Sequence, residues 1–234
     1  MYISPWKLWS LALVVAVIVT TLASNGHYPP LDVTISRAVQ EAKSPSLEPL
    51  SQSFYHFGAS PVSLTAALIL SAMVGLRLGV TPAAFLLLSV CARPLGTLIK
   101  EIVERPRPSE LSLQFVENAS GYSFPSGHVF GTVLFIGFLW FLVYQSTASQ
   151  ALRLASTAGT GLFLLLMGLQ RVYAGAHWPS DVLGAYLWGG LVLFLIVQLY
   201  SRRWAVAVTD FQQAPQRTQH QEPRLRTGQG VGGR

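Results

Sequence analysis

Charged residues are scarce in this sequence, and their scarcity excludes an ordinary soluble domain. They make up 11% of the 234 residues, against 51% hydrophobic residues, whereas a soluble globular domain carries about 25% charged residues. The charges are also unevenly spread, and they leave apolar stretches long enough for a helix to cross about 30 Å of hydrocarbon. The bilayer is therefore predicted to be the main solvent of this protein.

Cysteine is almost absent, and the basic residues do not cluster. The single cysteine, Cys91, cannot form an internal disulfide, and its position in an apolar run is typical of a small buried thiol. The net charge is +6, but the cations are scattered between the apolar runs and in the C-terminal segment. No basic stripe is interleaved with aromatic residues, so the sequence does not predict nucleic acid as a partner.

Six apolar runs predict six membrane-spanning helices. The runs are continuous, and lipid offers no partner to an unpaired backbone group, so helices are preferred over the alternating strands of a barrel. The predicted fold class is all-α, a polytopic membrane bundle of six helices. The runs cover residues 8–24, 57–76, 80–99, 129–145, 152–170 and 182–200.

The first run has two interpretations. Lys7, the apolar stretch after it and the small residues Ala23 and Ser24 resemble a secretion signal. Trp6 and Trp9 instead suit the interfacial aromatic belt of a retained anchor. The anchor is preferred because the run is long for the core of a signal. Cleavage would leave five spans, with the later loops on the same sides of the membrane.

The segments outside the spans suggest the domain organisation. The side that holds Arg77, Arg153 and the C-terminal arginines is predicted to be cytoplasmic, because cytoplasmic loops retain positive charge. On the other side, residues 25–56 form either one or two amphipathic helices on the membrane or a spacer. We expect one membrane domain over residues 1–204 and a disordered cytoplasmic tail over residues 205–234, which has little to bury.

The loop between the third and fourth spans holds candidates for phosphate binding. It opens with three cations in eight residues, among them Lys100 and Arg107. The guanidinium of Arg107 is a planar fork and the ammonium of Lys100 is a compact charge, so the two together could clamp a phosphate. The alternative is that these long basic side chains only snorkel to the membrane surface.

The same loop ends in Ser126, Gly127 and His128, immediately before the fourth span. Ser126 suits the N-cap position, and Gly127 lets the backbone approach a ligand closely. A helix that begins here presents free N–H groups and a positive dipole, which suit an anion. His128 would stand beside that anion, or it is an ordinary interfacial histidine.

Arg171, His177 and Asp181 lie between the fifth and sixth spans. Pro179 marks the first turn of the last helix, so Asp181 could reach back to an N–H of the His177 imidazole. Such a carboxylate fixes the tautomer and leaves the other nitrogen free to attack or to accept a proton. In the alternative, Asp181 only complements the helix dipole and Arg171 belongs to the membrane interface.

Topology predicts that these groups converge. No span separates Lys100 from His128, and two spans separate His128 from Arg171, so all three segments emerge on the same side of the membrane. Two histidines, an aspartate and at least three cations can then meet at one surface. A phosphate ester is the ligand that such a site fits.

The motifs resemble those of a known family, the type 2 phosphatidic acid phosphatase (PAP2) superfamily of integral-membrane lipid phosphatases. Its three motifs occur here in order: Lys, six residues and Arg-Pro from Lys100 to Pro108; Pro-Ser-Gly-His from Pro125 to His128; and Arg, five residues, His, three residues and Asp from Arg171 to Asp181. One position departs from the pattern, because the family usually has Ser where this chain has Gln170. The motifs cover residues 100–181, and the six-span plan extends the resemblance to about Trp204.

The resemblance implies a reaction and a role for each site residue. His177 attacks phosphorus to form a phosphohistidine, Asp181 orients the ring, and His128 protonates the leaving oxygen. The nonbridging oxygens are held by the substrate-binding residues Lys100, Arg107, Ser126, Gly127 and Arg171. Because side-chain cations and the helix dipole neutralise the phosphoryl group, the resemblance implies neither a metal nor a cofactor.

Other functions remain as alternatives. His128, His177 and Asp181 could be metal ligands, although the neighbouring cations would repel a divalent ion. Phosphate could be transferred to an acceptor other than water. A lipid transporter and a non-catalytic phospholipid binder are the remaining classes, and neither explains two histidines with an orienting acid.

The resemblance also implies an amphiphilic substrate, whose phosphate reaches the outer interface while its tail stays in lipid. Undecaprenyl diphosphate ranks first, followed by phosphatidate and phosphatidylglycerol phosphate. The implied location is a bacterial cytoplasmic membrane, with the site on the extracytoplasmic side.

Arg93 is a separate candidate within the third span. It lies seven residues before Lys100, about 10 Å deeper on nearly the same helix face. An arginine at this depth is costly and often functional. It either lines the cavity and meets a second phosphate or the polar neck of a lipid, or it bonds to neighbouring carbonyls.

Overall fold

The computed structural model describes residues 4–25, 29–108 and 121–219, and within these ranges it contains nine helices and no strand. The helices are α1 (Pro5–Ser24), α2 (Pro30–Glu41), α3 (Glu48–Gly58), α4 (Ser60–Leu78), α5 (Val80–Cys91), α6 (Pro94–Val103), α7 (Gly127–Ser146), α8 (Gln150–Tyr173) and α9 (Pro179–Gln219). Six segments of this described part are long and apolar enough to span a bilayer, with α5 and α6 forming one of them. The predicted all-α fold with six spans is confirmed.

Helix α7 lies at the centre of the bundle, in contact with α5, α8 and α9. It is apolar around most of its circumference and ten of its residues are buried, as expected of a helix surrounded by others. An aromatic cluster of Phe138, Phe85 and Tyr200 joins it to α5 and α9. His128, in the first turn of α7, therefore stands on the most enclosed helix of the protein.

The third span is broken, whereas the sequence predicted one continuous helix. Pro94 has no N–H to offer the carbonyl of Val90, and that carbonyl accepts from the N–H of Arg93 instead. The prediction of a buried thiol at Cys91 is wrong, because Cys91 is exposed. Helix α5 ends at Cys91, and the thiol lies beside the break and outside the bundle core.

The segment between the first two spans forms the two helices α2 and α3, in agreement with the amphipathic alternative. The polar stripe of α2 faces the protein, because Asp32, Ser36 and Gln40 are buried. Leu31 and Ile35 are exposed on a neighbouring face of the helix. This arrangement suits a helix whose outer face contacts lipid, and it directs Asp32 towards the end of the bundle that holds the site.

Helix α9 extends further than predicted. It continues to Gln219, so residues 205–219 are helical where the sequence suggested a disordered tail. Residues 205–214 contain neither proline nor glycine, so nothing in them breaks the helix. Residues 220–234 lie outside the described ranges, and the domain boundary at residue 204 remains a prediction.

Candidate active site

The loops before α7 and α9 meet at one end of the bundle. Nη1 of Arg107 donates to the carbonyl of Ala176 (2.8 Å). The backbone N–H of Ser126 donates to the carbonyl of Asp181 (3.2 Å). The residues of the three sequence motifs therefore lie together, as topology predicted.

His177 and Asp181 are held side by side at the start of α9. Nδ1 of His177 lies 3.5 Å from Oδ2 of Asp181, and the two side chains are 3% and 0% exposed. The carboxylate accepts from the N–H of Trp178 (2.9 Å), from Arg105 (2.6 Å) and from the hydroxyl of Ser123. With Nδ1 turned to this fixed carboxylate, Nε2 is the nitrogen turned towards the cations of the site.

Three predicted cations surround the His177 ring. Nη1 of Arg107 lies 3.5 Å from His177 Nε2, and Nζ of Lys100 donates to the carbonyl of Tyr122 (2.8 Å). Arg171 is almost completely buried. Burial lowers the pKa of His177 well below its ordinary value, and the positive charges of Lys100, Arg171 and Arg107 lower it further. Burial and the neighbouring cations therefore both favour the neutral form of the His177 ring.

His128 is enclosed on two sides. Its ring stacks on Tyr55 with the centroids 5.5 Å apart, and it packs so closely on Gly58 that a Cβ there would collide with it. Its Nε2 is buried and, among the described residues, has no hydrogen-bond partner. Buried polar atoms are normally bonded, so this ring nitrogen is available to bind a ligand.

Ser126 and Gly127 lie where the sequence placed them, with one difference. Ser126 is the N-cap residue of α7, but its hydroxyl makes no capping bond. Its buried Oγ has no partner within the described ranges. A Cβ on Gly127 would lie 3.8 Å from Cε of Lys100. The open end of α7 thus lies beside Lys100, with its first N–H groups not bonded within the helix.

Two important residues were missed by the sequence analysis. Arg105 is 2% exposed and bridges two buried carboxylates, with Nη1 on Asp181 (2.6 Å) and Nη2 on Asp32 (2.8 Å). Asp32 also accepts from the N–H of Ser180 (2.9 Å). Helix α2 is thereby connected to the carboxylate beside His177. The spacing of Asp32, Ser36 and Gln40 along one face of α2 was the available signal.

Tyr55 is a third missed residue. Arg171 lies over its ring at 5.7 Å, and His128 stacks on the same ring. Gln170, the position that differs from the family motif, holds the same arginine. Its Oε1 accepts from Nη1 of Arg171 (3.3 Å), and its Nε2 donates to the hydroxyl of Ser51 (3.2 Å). Helix α3 therefore positions both Arg171 and His128.

The donor set does not fit a divalent cation. Within the described ranges, no group of three or more His, Cys, Asp or Glu side chains is placed to hold one. The carboxylate of Asp181 is engaged by three hydrogen-bond donors. Arg107 and Lys100 stand beside His177. The arrangement instead offers fixed positive charge to an anion.

A cavity of about 590 Å³ opens beside the site. Lys100, Gly127 and His128 contribute to its wall, together with Leu64 and Val90 from the adjoining spans. A cavity with polar groups at one end and apolar walls fits the head and the upper tail of an amphiphile.

Comparison with known proteins places these observations in a family. A family model described as the PAP2 superfamily matches residues 79–205. Phosphatidylglycerophosphatase B of Bacillus subtilis is 31% identical over 167 residues, which cover 70% of this chain and 81% of that protein. An undecaprenyl-diphosphatase of Sulfolobus acidocaldarius is 29% identical over 119 residues, which cover 48% of this chain and 52% of that protein.

A solved structure has the same fold. It is the crystal structure of a transmembrane PAP2-type phosphatidylglycerolphosphate phosphatase from Bacillus subtilis, with a TM-score of 0.73 and 26% sequence identity. The alignment covers 83% of this chain and 96% of that one. The region matched by the family model contains all three motifs.

Proposed function

The chain belongs to the PAP2 superfamily of membrane phosphatases, and on this premise we propose that it hydrolyses a lipid phosphomonoester or diphosphate through a phosphohistidine on His177. One observation carries the proposal: Nδ1 of His177 faces the buried carboxylate of Asp181, while Nε2 faces Arg107. A neutral imidazole held in this way presents a lone pair to a phosphoryl group that cations hold in place.

The first step forms the phosphohistidine. Nε2 of His177 attacks phosphorus as the bond from phosphorus to the leaving oxygen breaks. The ring becomes positively charged, and Asp181 stabilises that charge through Nδ1. The negative charge of the bound phosphoryl group favours the protonated ring of His128, which gives its proton to the leaving oxygen, so that the dephosphorylated lipid departs as a neutral alcohol or as a monophosphate.

The second step consumes water. His128, now neutral, accepts a proton from a water molecule whose oxygen attacks phosphorus, and the phosphorus–nitrogen bond breaks. Inorganic phosphate leaves, His177 is neutral again and His128 is protonated for the next cycle. This role is supported by Nε2 of His128, because a ring nitrogen without a hydrogen-bond partner among the described residues is available to accept or donate a proton.

The cations hold the nonbridging oxygens in both steps. Lys100, Arg107 and Arg171 surround His177, and the hydroxyl of Ser126 and the N–H of Gly127 stand at the open end of α7. These groups are fixed before the reaction by bonds to carbonyls and by burial. Positive charge that is already in place lowers the activation free energy most when negative charge shifts within the phosphoryl group in the transition state.

The proposed substrate is a bacterial membrane lipid, with undecaprenyl diphosphate first and phosphatidate or phosphatidylglycerol phosphate next. The cavity supports an amphiphile, and relatives are named for phosphatidylglycerophosphate and undecaprenyl diphosphate. We propose that the protein lies in the cytoplasmic membrane with its site outside, because Arg77, near the end of α4, and Arg153, near the start of α8, lie on the side of the membrane opposite the site loops.

The test is phosphate release by the purified protein from each of these three lipids. His177→Ala is expected to lower release at least roughly 10³-fold, and His56→Ala, which removes an exposed histidine of α3, is the matched control. Turnover should continue in EDTA. Activity that disappears in EDTA and returns with a divalent ion would contradict the mechanism, as would wild-type turnover by His177→Ala.

A further inference from the structure

Arg93 lies in a membrane-spanning segment and lines the same cavity as Lys100 and His128. It belongs to none of the three motifs, and the reaction proposed above does not use it. A charged side chain inside a span is costly, and such residues usually face a polar path or a partner. Leu64 and Val90 also line this cavity, so the charge of Arg93 lies in a wall that is partly apolar and requires an explanation.

The guanidinium is held in a defined place. Nη2 donates to the carbonyl of Gly58 (3.1 Å), and Nη1 donates to the hydroxyl of Ser63. It also packs on Gly131, where an added Cβ would collide with it. These bonds use two of the five N–H donors of a guanidinium. Within the described part of the chain, the other donors remain for a ligand in the cavity.

The position of Arg93 can be read along α7. Lys100 approaches the backbone of this helix at Gly127, and Arg93 approaches it at Gly131. Four residues of helix separate the two approaches by about 6 Å. Gly58 contacts both residues that line the cavity near α7: it packs on the ring of His128, and its carbonyl accepts a hydrogen bond from Arg93. Arg93 therefore lies about one helical turn from the proposed phosphate clamp, towards the membrane interior.

We propose that Arg93 binds a second phosphate of the substrate, located between the phosphate that is cleaved and the lipid tail. This inference rests on the proposed function. A lipid whose terminal phosphate reaches Lys100 and His128 must run past Arg93 towards the bilayer. A guanidinium matches the oxygens of a phosphate group in charge and geometry. A lipid diphosphate carries such a group, phosphatidylglycerol phosphate carries a phosphodiester there, and phosphatidate carries none.

A purely structural role makes a different prediction. If Arg93 only joined α3 and α4 to the junction of α5 and α6 through Gly58 and Ser63, its replacement would affect all substrates equally. Binding of a second phosphate affects only substrates that have one. The two roles are therefore distinguished by one ratio: kcat/KM for a substrate with a second phosphate divided by kcat/KM for a matched substrate without it. This ratio does not depend on the fraction of protein that folds.

The experiment compares farnesyl diphosphate with farnesyl monophosphate, which have the same tail. Arg93→Gln is expected to lower the ratio of kcat/KM for these substrates by roughly ten- to a hundredfold, the effect of losing a charge-assisted hydrogen bond. Arg77→Gln removes an exposed arginine at the other end of the bundle and should keep the wild-type ratio. Arg93→Lys keeps the charge without the fork, and it should lower the ratio severalfold.

An unchanged ratio in Arg93→Gln overturns the role of Arg93 while leaving the phosphatase in place. Should that variant fail to fold, an unchanged ratio in Arg93→Lys has the same meaning. A wild-type protein that releases phosphate from no lipid overturns the proposed function instead.

A second substrate pair identifies the source of the second phosphate. The pair is phosphatidylglycerol phosphate and phosphatidate, again with equal tails. A lowered ratio in the farnesyl pair alone assigns Arg93 to a diphosphate, and a lowered ratio in the glycerolipid pair alone assigns it to a phosphodiester. A lowered ratio in both pairs shows that any second phosphate is recognised.

Discussion

Replacement of Arg105 by glutamine is expected to reduce kcat by about a hundredfold or more, although Arg105 has no part in the proposed chemistry. Its guanidinium bridges Asp32 (2.8 Å) and Asp181 (2.6 Å), and all three side chains are at most 4% exposed. Asp181 in turn stands 3.5 Å from His177. Arg105 is therefore a positioning residue that acts on the nucleophile through a carboxylate.

The magnitude follows from burial. Removing one partner of a buried ion pair costs about 3–5 kcal/mol, because the remaining charge has no compensation. Here two carboxylates would lose their shared cation. Loss of Arg105 would displace Asp181. If this displacement raises the activation free energy by about 2.7 kcal/mol, kcat falls about a hundredfold, since about 1.4 kcal/mol corresponds to a factor of ten. The remainder should appear as lower thermal stability.

Steady-state kinetics and thermal unfolding in detergent test this reasoning. We expect kcat per folded molecule to fall while KM changes little, because Arg105 does not contact substrate. Asp32→Asn should have a smaller effect, about tenfold, since it leaves the bond from Arg105 to Asp181 in place. Arg37→Gln and Glu41→Gln change exposed charges of the same helix α2 and serve as controls. Wild-type kcat and stability in Arg105→Gln would refute the positioning role.

Two further predictions concern the histidines. Arg107→Gln should raise the pKa of His177, because a positive charge that disfavours the protonated ring is removed; the acid limb of kcat/KM then moves to higher pH. NMR titration of labelled histidine measures this shift, and an unchanged pKa would contradict the arrangement of charges. Gly58→Ala should lower kcat at least about tenfold, because its Cβ would collide with His128 and displace it. Gly159→Ala, where a Cβ meets open space, should retain wild-type turnover, and equal activity of both variants would argue against a packed His128.

The spans and the meeting of the three motifs could be predicted from the sequence because both depend on strong, simple constraints. A long apolar run in lipid has to be helical. The number of spans between two loops decides whether they share a side. His177 and Asp181 are also close in the chain, so the first turn of α9 suffices to bring them together.

Contacts between distant segments could not be predicted in the same way. Arg105 and Asp32 are 73 residues apart, and no local rule pairs them. The buried polar stripe of α2 was visible in the spacing of Asp32 and Ser36, but amphipathic patterns are usually interpreted by their apolar face. The break at Pro94 could have been predicted from the missing N–H of proline, whereas the exposure of Cys91 depends on how α5 packs in the bundle.

Trapping of the covalent intermediate tests the central claim most directly. The protein is mixed with a lipid substrate that carries ³²P in its terminal phosphate, denatured within the first turnover and digested for peptide mapping. We expect label on His177 that is stable to alkali and lost in acid, as a phosphorus–nitrogen bond should be, and no label in His177→Ala. Rapid phosphate release by the wild-type protein without labelled His177, or label on another residue, would contradict it.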